Sequence, residues 1–265
     1  MTGTQDYPIN LDEAFEHLPH APIVEAVIEI RARAEAAWEE PAVMTELKAH
    51  LPDYPTLDSH RAFQHELKVG PGQESHHTLR DLGWRGLRFK SADGRQVAQF
   101  NHDGFLFSRL RPYQRWEQLK DEGLRLWELH AALAKPSEVQ RLGLRYINRM
   151  VLGPQEVRFE DYLRPRAQPP QGLNLPFQGF FHHDVLAVTG HAYAINIIRT
   201  SQPPQELGSE GMALILDIDV YTTQPFELRR VELDHRLAEM RWLKNKVFFG
   251  SVTRNALKTF RGERK

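Results

Sequence analysis

Residues 141 to 151, RLGLRYINRMV, alternate strictly. As a strand they put Arg141, Arg145 and Arg149 on one face with Gly143 and Ile147, and Leu142, Leu144, Tyr146, Asn148 and Met150 on the other. Two other segments repeat the pattern. In IVEAVIEIR, Val24, Ala26, Ile28 and Ile30 oppose Glu25, Val27, Glu29 and Arg31; in MALILDIDVY, Leu214, Leu216, Ile218 and Val220 oppose Asp217 and Asp219. Each is the signature of a strand with one face in a core and the other charged.

The remaining periodicity supplies helices and more strands. Trp38 to Leu51 reads as a short helix with Pro41 in its first turn, stopped by Pro52 and Pro55. Between residues 61 and 111 lies a meander, RAFQHELKV, WRGLRFK, RQVAQF and FLFSRL, with turn signals at Ser91-Ala92-Asp93-Gly94 and Asn101-His102-Asp103-Gly104. Residues 112 to 134 carry the apolar stripe of an amphipathic helix, ended by Lys135-Pro136. A second unit opens at Gln140 with the arginine-bearing strand and a short helix at Phe159 to Leu163. It continues through a Pro- and Gln-rich connection at 164–178 and strands in FFHHDVLAVTG, HAYAINIIRT and MALILDIDVY, with SQPPQELGSEG read as a mobile loop. Leu233, Leu237, Met240, Lys244 and Val247 mark a long helix, and the chain closes with a helix after Ser251, which reads as its N-cap.

Runs of strands followed by helices, without strict alternation, predict an α+β fold of antiparallel sheets with packed amphipathic helices. Both parts run strand, helix, meander, helix, so residues 1–137 and 138–265 are predicted to be two related halves, fused into one domain or separate.

Composition narrows the function. The chain has 265 residues and no cysteine, which excludes disulfide scaffolds, thiolate metal sites and cysteine nucleophiles. Lys+Arg 34 against Asp+Glu 35 leaves no bulk attraction for polyanions, so nucleic acid is a disfavoured partner. The near-zero net charge permits a homo-oligomer. No segment has the run of about 18 apolar residues that a membrane span requires, and the acidic start has no signal-peptide pattern, so the expected location is the cytoplasm.

The candidate site is the set of strand-borne acids and bases: Glu25, Glu29, Arg31, Arg145, Asn148, Arg149, Asp217 and Asp219. Three arrangements fit them. They can form cross-strand ion pairs on a solvated sheet face, line a concavity where guanidinium groups grip a phosphate or carboxylate and acids hold a hard cation, or form a protein interface. Glu29-Ile30-Arg31 with Glu25 resembles the alternating acid-base strand of the triphosphate tunnel enzymes, which implies metal-bound polyphosphate inside an antiparallel barrel. Here the acids are four residues apart, where that family spaces them by two.

Other constellations carry less. His182-His183-Asp184 with His191 has metal-binding residue types, but adjacent histidines on a strand face opposite ways. There is no G-x-S-x-G, no P-loop and no G-x-G-x-x-G. Phe105, Phe107, Arg109, Arg111, Tyr113, Arg115 and Trp116 mix arginine with aromatics as single-strand nucleic-acid surfaces do. The spacing of Phe105 and Phe107 equally suits a buried strand face.

APIVEAVIEIR, DGFLFSRLRPYQRW, RLGLRYINRM, DIDVY and KNKVFFGSVT together resemble a sporadically distributed family of uncharacterised bacterial and archaeal proteins of about this length. The resemblance spans nearly the whole chain. It implies an accessory or defence-type gene and brings no catalytic residue and no cofactor. The sequence thus predicts a non-enzymatic module that binds a partner protein or a small anionic ligand. A metal-assisted phosphohydrolase or phosphotransferase is the alternative, and the cofactor is left undefined.

Overall fold

The computed structural model describes residues 5–68, 76–153, 158–164, 172, 175, 178–203 and 211–263, with backbone alone for 63–68 and 76–80. The protein is α+β. Its strands are β1 (Ile23–Arg31), β2 (Thr56–Lys68), β3 (His76–Lys90), β4 (Gln96–Asn101), β5 (Gly104–Leu110), β6 (Glu138–Val139), β7 (Arg141–Leu152), β8 (Phe181–Val188), β9 (Tyr193–Gln202), β10 (Met212–Thr222) and β11 (Phe226–Glu227). Its helices are α1 (Glu40–His50), α2 (Trp116–Ala134), α3 (Arg230–Ser251) and α4 (Arg254–Arg261).

Nine strands form one antiparallel sheet in the order β2-β3-β4-β5-β1-β7-β10-β9-β8, and β11 and β6 make a small second sheet. In each half of the chain the first long strand lies at the middle of the large sheet and pairs with the last long strand of that half, β1 with β5 and β7 with β10. The halves join through β1 and β7, which pair from Ile23 opposite Asn148 to Arg31 opposite Arg141.

The alternation read from the sequence decides which side of the sheet is covered. Ile28, Ile30, Phe105, Phe107, Leu142, Leu144, Leu216 and Ile218 are all at most 1% exposed. The helices pack on that side. A Cβ at Gly123 of α2 would meet Ile28 and Phe107, Lys244 of α3 lies over Tyr146, and Glu40 of α1 accepts from Ser59 on the same face. Each buried large apolar side chain contributes about 1.5–3 kcal/mol, so the core strands bind the helices firmly. Among the described residues no helix packs on the other face, which carries the charges of β1, β7 and β10.

Both predicted turns are tight hairpins, and each uses glycine for a different reason. Gly94 has φ of 67°, a left-handed conformation that L side chains avoid. A Cβ at Gly104 would lie 2.4 Å from the Ile30 carbonyl oxygen, so this residue lets β5 close on β1.

Several boundaries differ from the sequence reading. The β2-β3 hairpin is longer than predicted, because β3 begins at His76 and takes in the His76-His77 stretch. The short helix at Phe159 is a single 3-10 turn, Phe159–Asp161. Ser251 does not cap the last helix. It is the final residue of α3, and Thr253 caps α4 by accepting a hydrogen bond from the Ala256 amide at 3.2 Å. The mobile-loop reading at 204–210 and most of the connection at 165–177 fall outside the described residues. Among the described residues no helix is long and apolar enough to cross a membrane.

Candidate functional site

Seven of the eight strand-borne candidates share the uncovered sheet face, where four of them pair with one another, Arg31 with Glu29 and Arg145 with Asp217. Arg141 of β7 reaches both ways: one terminal nitrogen holds Glu29 of β1 and the other donates to Asp219 of β10 at 2.9 Å. Its guanidinium lies 4.7 Å from the centre of the Tyr221 ring and crosses Gly143, where a Cβ would come within 2.6 Å of it. Arg31 donates to the other oxygen of Glu29 at 3.0 Å. One turn of the pleat away, Arg145 grips Asp217 with two nitrogens, the Nε at 2.8 Å. This fork geometry holds the Arg145 proton more tightly than usual. Burial pushes the Asp219 carboxyl up despite the two arginines beside it. Glu25 makes no ion pair among the described residues, and the Nε of Arg149 is buried without a partner.

Asn148 is the exception among the candidates. It projects through the opposite side of β7, is 1% exposed, and donates to the Leu216 carbonyl at 3.0 Å. The sheet therefore separates it from the acids and arginines with which it was grouped. Three of those acids are committed to arginines: Asp217 to Arg145, and Glu29 and Asp219 to opposite nitrogens of Arg141. Among the described residues no three His, Asp or Glu side chains are placed to hold a metal ion.

Asn148 instead lines a cleft of about 1330 Å³ on the helix side of the sheet. Four separate stretches build it: the segment before β1, the start of α2, β7, and the second half of α3. The N-terminal segment forms one wall and is tied down at both ends. Glu13 accepts from the Trp242 indole and from Lys246, each at 2.9 Å, and Glu16 takes both sides of the Arg261 guanidinium. Phe15 stacks on Phe249 with ring centroids 5.6 Å apart.

The cleft is polarised. Lys244 places its Nζ 4.0 Å from the centre of the Tyr146 ring and donates to Asn245 Oδ1 at 2.6 Å. It makes no ion pair among the described residues. Burial, reinforced by Arg241 one turn earlier on α3, draws its pKa down from 10.5 to about 7. Arg241 lies over the Trp116 ring, 5.4 Å from its centre, and its ion pair with Glu117 is long, at 3.9 Å. The start of α2 opens on the same space, and its N-cap residue Arg115 provides no side-chain acceptor for the first-turn amides. Those free amides carry the positive end of the helix dipole.

At the floor, Tyr113 and Tyr146 join hydroxyl to hydroxyl at 2.9 Å. Burial pushes Tyr113 up to about 12 and Tyr146 well above the usual phenol range, so both stay neutral hydrogen-bonding groups. The aromatic-arginine run of the sequence divides here. Phe105 and Phe107 are core residues at 1% exposure each, whereas Tyr113, Arg115 and Trp116 line the cleft. His182 and His183 do face opposite ways on β8. His182 neighbours Phe180, with ring centroids 5.3 Å apart.

Sequence reasoning passed over Lys244, Arg241 and Tyr146 as site residues, though one signal was there. Lys244 falls on the apolar stripe Leu233, Leu237, Met240, Val247, and a cation on the packed side of a helix needs a reason to be there. Comparison with protein-family models, curated proteins and solved structures finds no match to the chain.

Proposed function

We infer that the protein is a binding module for a small anionic ligand, held in the cleft between the N-terminal segment, α2, β7 and α3. The observation that carries this reading is Lys244: a cation without a carboxylate partner, beside Arg241 and the uncapped start of α2, in a cleft large enough for a small molecule. Basic groups shielded from solvent are normally paired. An anion supplied from solution would satisfy Arg241 and the α2 amides beside this lysine.

The metal-assisted phosphohydrolase alternative is less well supported. It needs free acids facing a common cation, and Glu29, Asp217 and Asp219 are bound by arginines on an open sheet. A partner protein is a second reading. It is favoured by Val151, Phe181 and Val185, which are 59–65% exposed on the uncovered face. A cytoplasmic location, and the accessory role that the family resemblance implies, belong to the same proposal.

Thermal shift and calorimetry with inorganic phosphate, pyrophosphate and citrate test the reading. A ligand at about 100 times its Kd raises stability by roughly 2.7 kcal/mol. Saturable stabilisation that is lost in Lys244→Met and Arg241→Gln, and kept in Arg145→Met on the opposite face, supports the cleft. Binding that survives the Lys244→Met/Arg241→Gln double variant, or no saturable binding to any of the three, removes it.

A further inference from the structure

We propose that Lys244 captures its ligand covalently, as an imine, and that the ligand class is a carbonyl compound carrying an acid group. The inference rests on the anion-binding reading of the cleft and goes one step beyond it.

Imine formation needs an amine with a free lone pair, room for a carbonyl carbon above it, and a means of holding the carbonyl compound nearby. Lys244 meets the first condition in a way its helix neighbour does not. Lys246, two residues on, is exposed and engaged by Glu13. Lys244 has no carboxylate holding it as an ammonium, and burial and Arg241 lower its pKa to about 7, which favours the unprotonated amine far more than in an exposed lysine. The cleft of about 1330 Å³ above it supplies the room.

Arg241 and the α2 amides supply the anchor for the acid group, so that its charge is taken up by them and the amine is left without an anionic partner. The Asn245 side chain fixes the direction of Nζ, and the neutral Tyr113-Tyr146 pair supplies hydrogen-bonding hydroxyls on the floor. The Nζ lone pair attacks the carbonyl carbon and forms the C–N bond. Both amine hydrogens then leave with the carbonyl oxygen as water, so C=N replaces C=O with no change of oxidation state.

The experiment uses the full chain with glyoxylate or glycolaldehyde phosphate and sodium cyanoborohydride, which reduces an imine to a stable secondary amine. Intact mass and peptide mapping then locate the adduct. The two probes distinguish a carboxylate from a phosphate as the acid group, and acetaldehyde is the probe without one. The expected result is one adduct, on Lys244, formed about tenfold or more faster than on exposed lysines, which are almost wholly protonated at neutral pH. Acetaldehyde should react more slowly there, phosphate should compete, and Lys244→Arg should abolish the adduct.

Adducts spread over surface lysines with Lys244 no faster overturn the proposal. Phosphate binding that depends on Arg241, with no adduct from either probe, overturns the imine while leaving the anion site standing. Equal labelling by acetaldehyde that phosphate does not slow overturns both, because Lys244 would then be reactive without an anion site.

Discussion

Trp38 and His130 face each other with ring centroids 5.1 Å apart, and each carries a buried ring nitrogen that has no hydrogen-bond partner, Nε1 of the indole and Nδ1 of the imidazole. The other imidazole nitrogen, Nε2, lies 2.9 Å from the Asn101 carbonyl oxygen, so it carries the hydrogen and donates it. Trp127, Phe100 and Phe105 complete the surround. Burial pulls the His130 pKa from 6.5 down to about 4.

The sign of the resulting pH dependence follows. Between about pH 4 and 6.5 the unfolded chain binds a proton at this histidine and the folded chain does not, so stability is fully present above 6.5 and declines as pH falls toward 4. Urea unfolding at about pH 7.5 and about pH 5 should show this loss in the native chain and a smaller one in His130→Leu. An equal loss in both would assign the acid sensitivity elsewhere.

Lys244→Met should stabilise the fold at neutral pH, on the order of 1 kcal/mol, while ending anion binding. The folded state currently carries a lysine whose charged form is poorly solvated, and the unfolded chain does not. For the native chain, stability should rise from about pH 7 towards 10.5, the interval in which only the unfolded chain keeps the proton. A lower melting temperature in Lys244→Met would mean that the contact with the Tyr146 ring outweighs desolvation.

Removing Arg141 should cost about 1–3 kcal/mol, because Glu29 and Asp219 would lose their shared cation while three-quarters or more shielded from solvent. Arg141→Leu combined with Asp219→Asn should recover part of that, since Glu29 keeps Arg31 while the carboxylate that loses its hydrogen-bonded cation, Asp219, is gone. A double-mutant cycle by chemical denaturation measures the coupling, and strict additivity would show that the two residues act independently.

The two hairpin glycines should respond differently to alanine. At Gly104 the added methyl meets backbone of β1 at 2.4 Å, so β5 must shift, at roughly 2 kcal/mol or more. At Gly94 nothing lies within 4 Å, and only the left-handed backbone opposes the change, at roughly 1 kcal/mol. Melting temperatures of the two variants rank them directly.

What could be read in advance followed the range of each interaction. Alternation within β1, β7 and β10 placed Glu29, Asp217 and Asp219 on one face and Ile28, Leu216 and Ile218 on the other, because the side-chain period of a strand is local. Which arginine holds which acid depended on register across strands, and Arg141, the hub, was not among the candidates. The cleft was not legible, because Glu13, Tyr113, Tyr146 and Lys244 are brought together only by packing. The misplaced cap at Ser251 had a similar cause: α3 continues through Gly250, whose helical breaking tendency is overridden by the packing of Phe248 and Phe260.

The position of β1 at the middle of the sheet also orders how the chain can assemble during synthesis. When residue 134 has emerged from the ribosome, β2 to β5 can be paired, and β1 can lie against β5 under α2, with its other edge still open. That edge stays unpaired until β7 is made. Lys244 comes later still, so the segment before β1 has to wait beside a half-built sheet for α3 before the cleft exists. Until β7 is made, β1 presents an unpaired strand edge of the kind that draws in other chains, and only the pairing with β7 closes it.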